Sequence, residues 1–226
     1  MADRGLRELE RRWRASGDPA DEAAWLLGRL RAGELPAERL ELAALLGHEP
    51  AARAAQEADR PLPPLLFDLR RRERVPDTRW LIGALWERSR EAVVRFGAAI
   101  GRNRLGGGGG PDSRPALLAA LDAAEAWCRC PCEEHRAPAA RAGQAVWAAI
   151  SGQAWRAEGP ELLGAAFAAA VTAEATGPDE ARFLRHLLAH EAPGDLERAS
   201  REVVVWALGL GDPLADRAPR AAPAQA

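Results

Sequence analysis

The sequence predicts an all-α protein: about nine or ten helices, paired as antiparallel hairpins in an irregular bundle or a short solenoid. Three observations lead there. Apolar residues recur at intervals of three and four along most of the 226 residues. No segment sustains the period-two alternation that marks a half-buried strand. Gly, Pro and Asp interrupt the periodic stretches at short spacing, as tight links between neighbouring helices require.

The elements follow in order. Leu6, Leu9 and Trp13 mark one face of a first helix, broken at Ser16-Gly17. Asp18 is placed to cap the next helix, with Pro19 at its first position and Asp21-Glu22 at the positive end of its dipole. Its buried stripe is Ala23, Leu26, Leu27 and Leu30, and Ala32-Gly33 stops it. Pro36 opens a third helix carrying Leu42, Leu45 and Leu46, stopped by Gly47, and a short alanine-rich helix runs from about Pro50 to Ala58. The prolines of RPLPP, 60–64, exclude helix interior, because each removes a donor and crowds the preceding turn. Beyond them Ile82, Leu85, Trp86, Ser89, Val93, Phe96 and Ile100 define one face of a long helix. The glycine run within 101–115 ends it as a loop or linker.

The second part repeats the pattern. Leu117, Ala120, Leu121, Ala124, Trp127 and Cys128 form one face, Ala139, Ala142, Val146 and Ile150 the next, and Leu163, Ala166, Phe167 and Ala170 a third. Gly177-Pro178-Asp179-Glu180 starts a helix with Phe183, Leu184, Leu187 and Leu188. Pro193-Gly194-Asp195 starts the last, with Leu196, Ala199, Val203, Trp206, Ala207 and Leu210. Val203-Val204-Val205 favours strand locally but lies inside a three-four periodic window, and helix is the prediction. The division is an N-terminal helical half (1–105), a Gly-rich linker or loop (106–115), a C-terminal half (116–211) and a disordered tail (212–226).

Composition excludes several functions. Net charge is −2, all 31 basic residues are arginine, and no basic stripe interleaves with the tryptophans; nucleic acid and anionic membrane are not expected partners. The run Arg70-Arg71-Arg72-Glu73-Arg74 reads as a solvated helix face. The charged opening has no apolar signal region and no apolar run is long enough to span a bilayer, so a cytoplasmic location is expected. There is no H-E-x-x-H, no G-x-S-x-G and no P-loop. Leu45, Cys132, Phe183 and Leu187 stand three residues before the four histidines, which removes the Glu-x-x-His of a di-iron bundle.

WCRCPCEEH, 127–135, holds all three cysteines and one histidine. Cys128, Cys130, Cys132 and His135 offer a C-x-C-x-C-x2-H set of donors that zinc accepts. His186 and His190, four apart on a predicted helix, add a second donor pair. A zinc site of Cys130, Cys132, His186 and His190 forms if those helices touch; no other cofactor is expected. The competing reading is a helix junction. Cys128 falls on the apolar stripe, Pro131 ends one helix, and Pro131-Cys132-Glu133-Glu134 begins another, leaving His135 solvent-facing or as a cap partner. A Cys132–His135 dyad is a third arrangement, with no orienting acid identifiable.

Two stretches carry resemblances. Asp21-Glu22-Ala23-Ala24-Trp25-Leu26-Leu27, through Gly33-Glu34-Leu35 to Leu40-Glu41-Leu42-Ala43, resembles a helical hairpin that opens many bacterial all-helical proteins, some with HEAT-like repeats; it implies a HEAT-like α-solenoid fold. Arg114 to Trp127, with the alanine-rich helix at 139–154, resembles helical immunity proteins of bacterial toxin systems, which implies a toxin as partner. With no catalytic constellation in view, the expected role is a non-enzymatic module that binds a protein partner. Trp25 and Trp155, off the obvious stripes, are its candidate contact residues. Zinc binding through the Cys/His cluster and toxin immunity are the alternatives.

Overall fold

A computed structural model describes residues 2–60, 84–85, 87–105, 114–151 and 193–214. Every regular element among them is helical. The order is α1 (Ala2–Ser16), α2 (Pro19–Arg31), α3 (Ala37–Leu45), α4 (Glu49–Glu57), α5 (Arg90–Leu105), α6 (Arg114–Arg129), α7 (Glu133–Ser151) and α8 (Pro193–Ala207). The all-α prediction holds, with eight helices among the described residues against about nine or ten expected. The helices expected around 163–170 and 177–190, residues 106–113 of the predicted linker and the segment 61–64 lie outside those residues, whereas Arg114 and Pro115, expected in the linker, begin α6.

Local chemistry sets the first helices. The Asp18 side chain accepts from the Ala20 N–H at 2.7 Å, Pro19 occupies the first turn, and Asp21 and Glu22 follow it. Gly28 is where α1 and α2 meet: a Cβ there would lie 3.0 Å from one Leu9 methyl and 3.1 Å from one Leu6 methyl. Gly33 takes φ +74°, a left-handed stop that a side chain resists. His48 caps α4, its Nδ1 accepting from the Ala51 N–H at 3.3 Å while Nε2 faces Glu22 Oε1 at 3.4 Å.

The single long helix expected through 82–100 is instead broken at Ser89. The helical residues 84–85 and 87–88 end where the Ser89 N–H donates to the Leu85 carbonyl. The Ser89 hydroxyl then accepts from the Ala92 N–H at 3.2 Å and starts α5 afresh. Serine competes with the helical ladder in this way, and periodicity alone does not register it. α5 buries Ala92, Val93, Val94, Phe96, Ala98, Ala99 and Ile100, so it is covered on almost all sides and sits at the centre of an irregular bundle.

Two apolar clusters share α3 and α8. Leu42 and Leu45 face the α5–α6 side, while Leu40, Ala43 and Ala44 face α2 and α4. On α8, Val203, Trp206 and Ala207 join the first cluster, and Val204 and the following Leu208 join the second. The valine triplet is helical, as the periodicity predicts. Residues on both sides of 106–115 share the larger cluster: Phe96 and Ile100 before it, Leu117 and Leu121 after it.

The tail prediction is corrected at its start. Residues 212–214 are packed: Leu214 is buried, and Asp212 pairs with Arg95 at 2.8 Å while its carboxylate accepts from the Leu214 N–H at 3.0 Å. The anchoring partner lies on α5, too far away in sequence for a local pattern to reveal. Residues 215–226 fall outside the described set.

Candidate metal centre

The site grows from a proline. Cys130 makes the last bond of α6, its N–H donating to the Ala126 carbonyl at 3.1 Å. Pro131 has no N–H and cannot continue the ladder. The Cys132 N–H turns back to the Cys130 carbonyl at 2.7 Å, a three-residue turn. The Cys132 carbonyl then accepts from the Arg136 N–H at 3.0 Å, which makes Cys132 the N-cap residue of α7. His135 stands three positions on. That is the spacing at which a side chain folds back to the cap in a capping box, with cysteine and histidine here in place of the usual serine and glutamate.

The result brings three donors together. The His135 ring contacts the Cys132 sulfur through Nδ1 at 2.9 Å. The Cys130 thiol donates to the same sulfur at 3.1 Å. The ligating atoms of Cys130, Cys132 and His135 all lie within 4.8 Å of one another. Cys130 is exposed, and Cys132 and His135 are half-exposed, so the cluster is open to solvent.

Electrostatics follow from these contacts. The His135 ring, then the Cys130 thiol and the His135 backbone N–H, lower the Cys132 pKa from the ordinary 9.0 to about 7. Cys130 moves the other way, because its proton is held in the bond to Cys132. The first proton therefore leaves the pair near neutrality and belongs chiefly to Cys132.

For zinc bonds of about 2.3 Å to sulfur and 2.0–2.1 Å to nitrogen, tetrahedral geometry separates two sulfurs by about 3.8 Å and sulfur from nitrogen by about 3.6 Å. The Cys130–Cys132 and Cys132–His135 separations are shorter than these by about 0.7 Å each, at an open surface where side-chain rotation can widen them. Thiolate and imidazole are the donors zinc prefers, so the residues fit the ion.

Of the four donors that spacing offered locally, Cys128 is not part of the cluster. It lies in the last turn of α6, buried against α5 and α8, and burial holds its thiol well above the ordinary range. His135, read from sequence as solvent-facing or a cap partner, is half-buried and in contact with Cys132. His186 and His190 lie outside the described residues; the histidine beside Cys130 and Cys132 is the local one. The Cys132–His135 dyad weighed from spacing is present in geometry.

The backbone beneath the site is anchored by groups the sequence did not mark. Arg95 is 5% exposed. Its Nη2 donates to the Cys128 carbonyl at 3.2 Å, its Nε pairs with Glu91 at 3.0 Å and its Nη1 with Asp212 at 2.8 Å. The same guanidinium lies over Trp206 at 4.6 Å. Arg129 donates to the Leu214 carbonyl at 3.3 Å, one residue before Cys130. Arg102 pairs with Glu125 and Asp122, fixing α5 against α6.

The partner-contact residues fare differently. Trp25, off the obvious stripe, is nonetheless buried at 5% exposure, stacked on Trp13 at 4.5 Å with Arg29 over it at 4.9 Å. The buried face of α2 is wider than the stripe Ala23, Leu26, Leu27 and Leu30, because α2 packs against both α1 and α4. Trp155 lies outside the described residues. Among the described residues Leu210 is the one exposed large apolar side chain. No helix among them is long and apolar enough to cross a membrane.

No protein-family model, curated protein or solved structure matches this chain. The chemistry at the α6–α7 junction is the basis for a functional reading.

Proposed function

We propose that the chain is a helical metal-binding protein that holds a zinc ion through Cys130, Cys132 and His135. The observation that carries this reading is the mutual approach of the three donors within 4.8 Å at an exposed helix start. Two thiolates and a neutral imidazole balance the charge of a divalent ion. Three protein donors leave a fourth position for water or a further residue. Arg95 and Arg129 act as positioning residues, holding the end of α6 from which the ligands project. The cytoplasm is the setting that suits the reading, because its redox poise keeps neighbouring thiols reduced and able to ligate.

A non-enzymatic role in binding a protein partner has less support. Such a role calls for a contiguous apolar patch, and the described surface offers a single exposed leucine.

The test is metal analysis of protein purified under reducing conditions without chelator. One zinc per chain is expected, falling to background in Cys130→Ser and Cys132→Ser. Cys128→Ser, at a buried position, retains it. Equal zinc in all four proteins, or none in any, overturns the proposal.

A further inference from the structure

We infer that Cys130 and Cys132 form a dithiol–disulfide couple that exchanges with a low-molecular-weight disulfide, and that closing the disulfide dismantles the metal site. The second half of this statement rests on the zinc reading above; the first half stands without it.

Three features carry the inference. The two sulfurs are 3.1 Å apart, and forming a bond of about 2.05 Å asks for an approach of about 1 Å. The backbone bond from the Cys132 N–H to the Cys130 carbonyl already holds the two residues in a closed turn. Both thiols reach solvent, whereas Cys128 is sealed in the core, so exchange is confined to this pair.

The positions assign the roles. Cys132 sits at the N-terminus of α7, touches the His135 ring and accepts from the Cys130 thiol, so it is the attacking sulfur. It attacks one sulfur of the disulfide RSSR, whose S–S bond breaks; a Cys132–S–SR bond forms and RS⁻ leaves. Cys130 then attacks the Cys132 sulfur, the mixed disulfide breaks, and a second RS⁻ leaves. The two protons of the protein thiols end on the two RSH released. Two thiols are oxidised, one small disulfide is reduced, and no other oxidant enters. A sulfur bonded to its neighbour is no longer a thiolate, so two of the three ligands are lost together.

Oxidised glutathione added to the reduced, metal-free protein tests the couple. The expected product has lost two of its three free thiols, stays monomeric on a non-reducing gel, and maps its disulfide to the peptide containing 130–132. Cys130→Ser, which lacks the second sulfur, should instead stop at one bound glutathione per chain. A stable glutathione adduct on the natural chain, a disulfide-linked dimer or three surviving thiols each overturn the couple. Zinc added to reduced and oxidised samples in parallel then separates the two claims. Binding only by the reduced form supports the switch. Binding by both forms overturns the switch while leaving the metal reading intact. Binding by neither overturns the metal reading, and the thiol count still decides the couple.

Discussion

Replacing His135 with alanine removes the largest influence on Cys132, and the effect on thiol reactivity can be worked through. In the natural chain the Cys132 pKa lies at about 7, so about half of it is thiolate at pH 7. If the whole shift is lost and the pKa returns to 9.0, the thiolate fraction falls to about 1%, about fiftyfold less. The more basic thiolate is also the better nucleophile. A Brønsted coefficient of about 0.4–0.5 over two pKa units returns a factor of about 6–10. The net expectation is alkylation about five- to eightfold slower at pH 7 in His135→Ala. The Cys130 thiol and the backbone N–H still act on Cys132, which makes this an upper bound. Above about pH 8 the order should invert, because the natural thiol is then almost fully ionised and the variant's more basic thiolate is the more reactive. The assay is iodoacetamide labelling of reduced, metal-free protein across pH 5–11, followed by peptide mapping. Rate profiles of natural chain and variant that superimpose, with no crossing, would refute the assigned contact.

Other expectations concern the frame around the site. Arg95→Met strips the partner from Asp212 and Glu91 and should cost about 3 kcal/mol in urea unfolding, the lower end for a broken buried pair, because Asp212 keeps a third of its side chain in water. Burial opposes ionisation of Asp212, but bonds from Arg95 and the Leu214 N–H outweigh it and hold its pKa below the usual value. Its contribution is therefore present at neutral pH and lost as pH falls through that lowered pKa; in Arg95→Met this acid-side loss should shrink. Phe96→Ala, at a fully buried position on the central helix, should destabilise by about 3–5 kcal/mol on the same unfolding curve. Asp18→Ala removes the cap of α2 and should cost about 1 kcal/mol.

The helices were legible because most are decided by local chemistry. Asp18, Pro19, Pro36 and Gly33 each act within a turn of themselves, and the structure uses them as read. Ser89 acts locally too, but its hydroxyl can serve a face or a cap, and periodicity does not distinguish them. The misread residues depend on distant partners. Trp25 is covered by Trp13 and Arg29, and Asp212 is tied down by Arg95 across the bundle. At the cysteines the helix junction and the Cys130–Cys132–His135 donor cluster involve the same residues. Pro131 breaks the chain, the break makes Cys132 an N-cap, and that position brings His135 back over its sulfur. The C-x-x-H spacing at a proline-started helix is the signal the sequence carries for this contact.

The most direct measurement is X-ray absorption at the zinc edge on metal-loaded, reduced protein. The expected shell has two sulfurs at about 2.3 Å and at least one imidazole nitrogen at about 2.0–2.1 Å; it loses the imidazole in His135→Ala, and Cys130→Ser holds no zinc above background. A shell of oxygen and nitrogen alone, or one unchanged by either substitution, would contradict it.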